Sequence, residues 1–151
     1  MARSRGPWHA RDMADKTGGL SAEEKAAIRQ AAAERKREQE GKAGEEEVLA
    51  AIAAMNPQDK PIAEGLHALV KRDFPELTCK TWYGYPAYGK DGKTVFFYQL
   101  AAKFKTRYGH IGFQDVANLD DGDIWPTAFA ILKWTKAVET QVADVIKRAV
   151  T

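Results

Sequence analysis

Large apolar side chains are almost absent from residues 22–40, recur every three or four positions over 48–74 and over 138–149, and alternate with polar ones between 78 and 113. Read in order, these periods predict a solvated helix, two amphipathic helices, a run of strands and a closing amphipathic helix.

Ser21 followed by Glu24 is a capping-box pair, so a helix is predicted to start at Ala22. Ile28 is its only large apolar side chain up to residue 40, and pairs such as Glu34 with Arg37 and Lys36 with Glu40 add only about 0.2–0.5 kcal/mol each. The segment reads as a solvated arm ended near Gly41 and Gly44. Val48, Leu49, Ile52 and Met55 then share a helical face behind Glu45, Glu46 and Glu47, whose charges suit the positive end of a helix dipole. Asn56 and Pro57 break that helix. Asp59 is the expected cap of the next, which has Pro61 in its first turn, Ile62, Leu66, Leu69, Val70 and Phe74 on one face, and Pro75 as its stop.

Strands are expected at 78–83, 85–89, 93–99 and 104–113, joined antiparallel by short links that include the Asp91-Gly92 turn. The alternation slips at Gly109, which predicts a bulge. Residues 118–126 form a polar loop, 127–134 read as a last strand, and Thr135 caps a helix bearing Val138, Val142, Val145, Ile146 and Ala149. Together these elements predict an α+β fold: a single antiparallel sheet of about five strands with helices packed on one face, preceded by a solvated N-terminal helix. The expected organisation is a disordered tail over 1–20, an arm and linker over 21–44, and the α+β domain over 45–151.

Composition narrows the function. The chain has 151 residues, 44% of them hydrophobic and 29% charged, enough for one soluble domain and a tail. Its 23 basic and 21 acidic side chains are interspersed and leave a net charge of +2, so no strong field steers nucleic acid or an anionic membrane toward it. Cys79 is the only cysteine, which argues for a reducing compartment. Without an apolar leader or a membrane-length apolar run, a cytoplasmic location is expected. Met13 resembles an ordinary start, which would make residues 1–12 an extension.

The signatures of phosphate loops, dinucleotide sites, nucleophile elbows, zinc proteases and Cys-x-x-Cys sites are all absent. Asp120, Asp121 and Asp123 surround Gly122, but the ligand positions of a calcium loop around that glycine fall on Ala117, Leu119 and Ala128, leaving an acidic turn. Glu64 and His67 make one Glu-x-x-His step where a di-iron site needs two. Cys79 beside Lys80 reads as a buried structural thiol, and His110 as a sheet residue. Lys103, Lys105 and Arg107 alternate with Phe104, Thr106 and Tyr108, a pattern that fits a half-buried strand and, with the weak net charge, only poorly a nucleic-acid surface.

The segments WYGYPAYGKDGKTVFFYQLAAKFKTRYGHIGF and NLDDGDIWPTAFAILKWT, taken together, resemble the YdhG-like family (DUF1801), a bacterial domain of unknown function, from about Val48 onward. The capped helix before them is similar to an arm carried by some actinobacterial members. The resemblance implies an antiparallel sheet flanked by helices, frataxin-like in outline, and some members are described as frataxin-like iron chaperones. By that analogy iron would bind weakly, on surface carboxylates such as Glu64, Asp73, Asp120, Asp121 and Asp123.

Three readings follow. The leading one is a non-enzymatic module that binds a small ligand or a protein partner at an aromatic groove on the sheet edge, using Tyr83, Tyr85, Tyr88, Tyr108 and Trp125. The second is the iron chaperone. The third, an uncharacterised enzyme, requires perturbed ionisable groups such as His110 or Cys79 in a pocket. Alternation sends the rings of 81–98 to both sheet faces, with Trp82 and Phe96 or Phe97 expected in the core and the tyrosines of 83–88 left at a corner.

Overall fold

Ser21 and Glu24 form the reciprocal cap that their spacing dictates. In the computed structural model, which describes residues 20–151, the Glu24 N–H donates to Ser21 Oγ at 3.0 Å and the Ser21 N–H donates to Glu24 Oε1 at 3.1 Å. Helix α1 follows over Ala22–Ala53. Residues 1–19 of the expected tail, and the alternative start at Met13, lie outside the described residues. The chain divides into two units, Met1–Glu40 and Gly41–Thr151. In the first, α1 is solvated: Ile28 is exposed, Lys36 pairs with Glu40 at 4.0 Å, and Glu34 accepts from Gln30 instead of Arg37.

The helix does not end at Gly41 or Gly44. It continues to Ala53 because Gly44 is a contact glycine: it is buried, and a Cβ there would fall inside the carbonyl oxygen of Cys79. The absent side chain lets this part of α1 press against strand backbone and bury Val48 and Ile52.

Helix α2 spans Lys60–Asp73 and buries Ile62, Leu66, Leu69 and Val70, the stripe that its period predicts. Its start differs from expectation. Asp59 makes no side-chain cap; Asn56 Oδ1 accepts from the backbone of Gln58 at 3.0 Å and of Asp59 at 3.1 Å. Strands β1 (Thr78–Trp82), β2 (Tyr85–Lys90), β3 (Lys93–Gln99), β4 (Gly109–Phe113) and β5 (Ala128–Ile131) form one antiparallel sheet in the order β1-β2-β3-β4-β5. Helix α4 closes the chain over Lys136–Val150, with Thr135 Oγ1 accepting from the Val138 N–H at 3.1 Å.

Two strand expectations need correction. Residues 104–108 are not strand: a short helix α3, Ala101–Phe104, precedes a left-handed Lys105, and β4 begins only at Gly109. The last strand stops at Ile131, and Trp134 beyond it lies over Gly65 of α2, where any Cβ would meet the indole. The bulge sits not at Gly109 but between Tyr88 and Gly89, opposite Val95. That extra residue lets Val95, Phe96 and Tyr98 all reach the core.

The helices cover one sheet face. Tyr88, Phe96 and Phe113 form its aromatic layer, with Tyr88 stacked on Phe96 at 5.0 Å and Phe96 at 5.4 Å from Phe113. Above them lie Val48, Leu66, Leu69, Val142 and Ile146 from the helices. Each such side chain contributes roughly 1.5–3 kcal/mol on full burial. No helix among the described residues is long and apolar enough to cross a membrane.

Candidate functional site

The β1–β2 hairpin closes through only two residues, Tyr83 and Gly84, with φ of 52° and 86°. Two positive φ values give the mirror-image turn whose twist suits a tight hairpin, and its first position normally takes Asn, Asp or Gly. Tyrosine there costs about 1 kcal/mol in backbone strain. The result is a ring 70% exposed at the hairpin tip.

Alternation along the paired strands places Trp82, Tyr85 and Phe97 on the sheet face opposite the helices. Trp82 lies 5.2 Å from Tyr83 and meets Phe97 edge-on at 5.2 Å; Tyr85 is 5.6 Å from Phe97 and 6.4 Å from Phe104. Phe97 lies across Gly112 on β4, where a Cβ would come within 2.6 Å of its ring. Trp82 and Phe97 are half-buried, so they belong to this open face and not to the helix-covered core expected for them.

Helix α3 braces the cluster from the side. Lys103 Nζ donates to the Tyr83 carbonyl and stands 5.2 Å from the centre of the Tyr85 ring. The helix is held by a residue far away in sequence. Asp59 is fully buried; its Oδ1 accepts from the Ala101 N–H at 2.8 Å and the Tyr98 hydroxyl at 2.7 Å, and its Oδ2 accepts from the Ala102 N–H at 3.1 Å. An isolated helix this short has too few internal bonds to persist, so the Asp59 side chain accepting from its first two N–H groups is what fixes it. Burial and the Asp59 carboxylate both push the Tyr98 phenol's pKa upward, so it stays a donor.

The structure scatters the five proposed ring residues. Tyr83 and Tyr85 belong to this surface, Tyr85 buried beneath its neighbours. Tyr88 lies on the helix-covered face. Tyr108 sits edge-on to His110 at 5.2 Å with the Arg107 guanidinium 4.9 Å from its ring, and Trp125 packs half-buried against the core. Trp82, Phe97, Phe104 and Lys103 are the members that the sequence reading left out. The signal available for them was parity with Tyr85 along the strands, together with the short Leu100-to-Lys105 segment.

The carboxylates do not converge. Glu64 is exposed on α2, and Asp120, Asp121 and Asp123 are exposed in the loop before β5. Asp73 is held by Arg72 at 2.9 Å, which keeps its pKa below the usual carboxylate range. Among the described residues no group of three or more His, Cys, Asp or Glu side chains gathers closely enough to hold a metal ion.

A second polar group lies between α1, α2 and the sheet. His67 is nearly buried, with Nδ1 3.0 Å from the Tyr88 hydroxyl, and its Nε2 has no hydrogen-bond partner among the described residues, the nearest carboxylate oxygen being Glu45 Oε1 at 3.7 Å. Glu45 pairs instead with Lys71 at 2.7 Å. Burial lowers the His67 pKa despite that glutamate, and burial raises that of Cys79. Neither Cys79 nor His110 lines either of two concave sites found elsewhere: an apolar groove of about 540 Å³ between β4, β5 and α4, and a polar one of about 380 Å³ beside Lys90 and Val150.

Comparison of the chain with protein-family models, with curated proteins and with solved structures found no match.

Proposed function

We propose that this chain is a non-enzymatic binding module of YdhG-like type, and that the open sheet face carrying Trp82, Tyr83, Tyr85, Phe97 and Phe104 receives a ring-bearing small ligand or a ring-bearing side chain of a protein partner. The carrying observation is Tyr83. A large aromatic ring is held out in solvent by a turn whose backbone a tyrosine strains to adopt, and strain of this kind concentrates at functional positions. Around it, Trp82 and Phe97 offer ring faces and edges, and Lys103 supplies a cation beside them. With Tyr83 exposed and Trp82 and Phe97 half-buried, the ring surface suits stacking contact.

Backbone and Trp-indole chemical-shift mapping of the full chain against a panel of planar aromatic fragments and proline-rich peptides tests this reading. Saturable shifts centred on the Trp82 indole and the Tyr83, Phe97 and Lys103 amides are expected, with affinity reduced on the order of tenfold or more by Trp82→Ala. Shifts confined to other surfaces, or none across the panel, would sink the reading. The iron-chaperone reading would rely on separate exposed carboxylates, and no specific feature of their arrangement favours it.

A further inference from the structure

We infer that the groove between β4, β5 and α4 is a second binding site, which takes a medium-chain aliphatic carboxylate with its headgroup at Lys133. The groove holds about 540 Å³, within the roughly 300–1,000 Å³ span of small-molecule sites. Its floor is Ile111 and Phe113 of β4, one wall includes Ile131 of β5, and the other is the Val138, Val142 and Val145 stripe of α4. Those valines lie on one helical face, yet only Val142 is buried; Val138 and Val145 stay partly open. The apolar stripe of α4 is thus wider than the core that it covers.

The lining selects the occupant. The groove's walls from β4 and α4 are aliphatic, formed by Ile111, Val138, Val142 and Val145, and an alkyl chain laid against them brings no polar group that would have to be desolvated there. Charge sets its direction. Among the described residues, Lys133, in the connection from β5 to α4, is the only charged residue in the lining, and it forms no ion pair there. A carboxylate at Lys133 sends its chain past Val138 toward Val145, a helix rise of about 10 Å. The aromatic face described above plays no part in this site.

The test titrates the full chain with hexanoate, octanoate, decanoate and decanol below their micelle concentrations, read by methyl resonances. Saturable shifts at Ile131, Val138, Val142 and Val145 are expected, with affinity rising roughly tenfold for every two methylenes. Decanoate should bind on the order of fivefold more tightly than decanol, a preference that Lys133→Glu removes. Val145→Trp should abolish the shifts while leaving the Trp82 indole signal unchanged; Lys133→Glu, at an exposed position, serves if that variant does not fold. The proposal is overturned by shifts centred elsewhere, by affinity independent of chain length, by equal binding of acid and alcohol, or by the same methyl shifts arising on dilution alone, which would place a second copy of the chain in the groove.

Discussion

The Tyr98 hydroxyl donates to Asp59 at 2.7 Å across a buried interface, joining the residue before α2 to the end of β3. The same carboxylate anchors the first two N–H groups of α3, and α3 carries Lys103 and Phe104 against the hairpin tip. A residue outside the aromatic cluster therefore sets the position of two of its members.

Replacing Asp59 tests that link. Asp59→Ala strands a buried hydroxyl and two backbone donors, and is expected to cost about 3 kcal/mol or more in urea unfolding. Tyr98→Phe removes one donor only and should cost about 1–2 kcal/mol. The two losses should be non-additive in a double-mutant cycle; strict additivity would show that the bond is not energetically coupled.

Two glycines of one helix should respond in opposite senses. Gly41→Ala meets open space and gains helix propensity, so stability should rise by roughly 0.5–1 kcal/mol. Gly44→Ala drives a methyl group into the Cys79 carbonyl and should lower stability by more than that gain, as followed by thermal melting.

Tyr83→Asn replaces a strained turn residue with one that tolerates positive φ. Stability should increase by about 1 kcal/mol while affinity for fragments bound at the aromatic face falls. A variant that is both less stable and fully competent in binding would contradict the role assigned to this ring.

Acidification should weaken the fold through His67. Its folded pKa lies below the ordinary value of 6.5 because burial penalises the imidazolium, so the unfolded chain binds that proton more readily. The contribution is complete above about pH 6.5 and is lost as pH falls through the folded value. Glu45, whose folded pKa is itself lowered chiefly by its bond to Lys71, loses its contribution in a lower window, as pH falls below the carboxylate range. Denaturant midpoints between pH 7.5 and 5 should therefore drop in the parent chain and drop less in His67→Gln.

Much of this architecture was legible because it is local. The apolar stripes of α2 and α4, the Ser21 and Thr135 caps and the strand order follow from periods and capping within a few residues. What failed was set at long range. KFKTRY alternates like a strand, but Asp59, more than forty positions upstream, holds Ala101 and Ala102 just before it in a helix that runs on through Lys103 and Phe104. Gly44 reads as a stop until the Cys79 carbonyl lies against it. Strand alternation separated Trp82 and Tyr85 from Tyr88 without saying which set the helices would cover, and the extra residue at Val95 changed the parity of β3. Of the candidate surface, Tyr83 and Tyr85 were visible as ring residues at a corner, whereas Lys103 and Phe104 could not be placed without α3.

The consecutive order of the strands carries a consequence for local unfolding. Every strand pairs only with its neighbours in the chain, and the first three pairings close over short connections. The link over 114–127 before β5 is the longest, and β5 is the shortest strand and lies at an edge. It has the most closure entropy to repay and the fewest bonds to repay it with. Among strand amides that are hydrogen-bonded to a neighbouring strand, exchange should accordingly be fastest at Phe129 and Ile131, so that the wall of the apolar groove opens in excursions that leave the rest of the sheet intact.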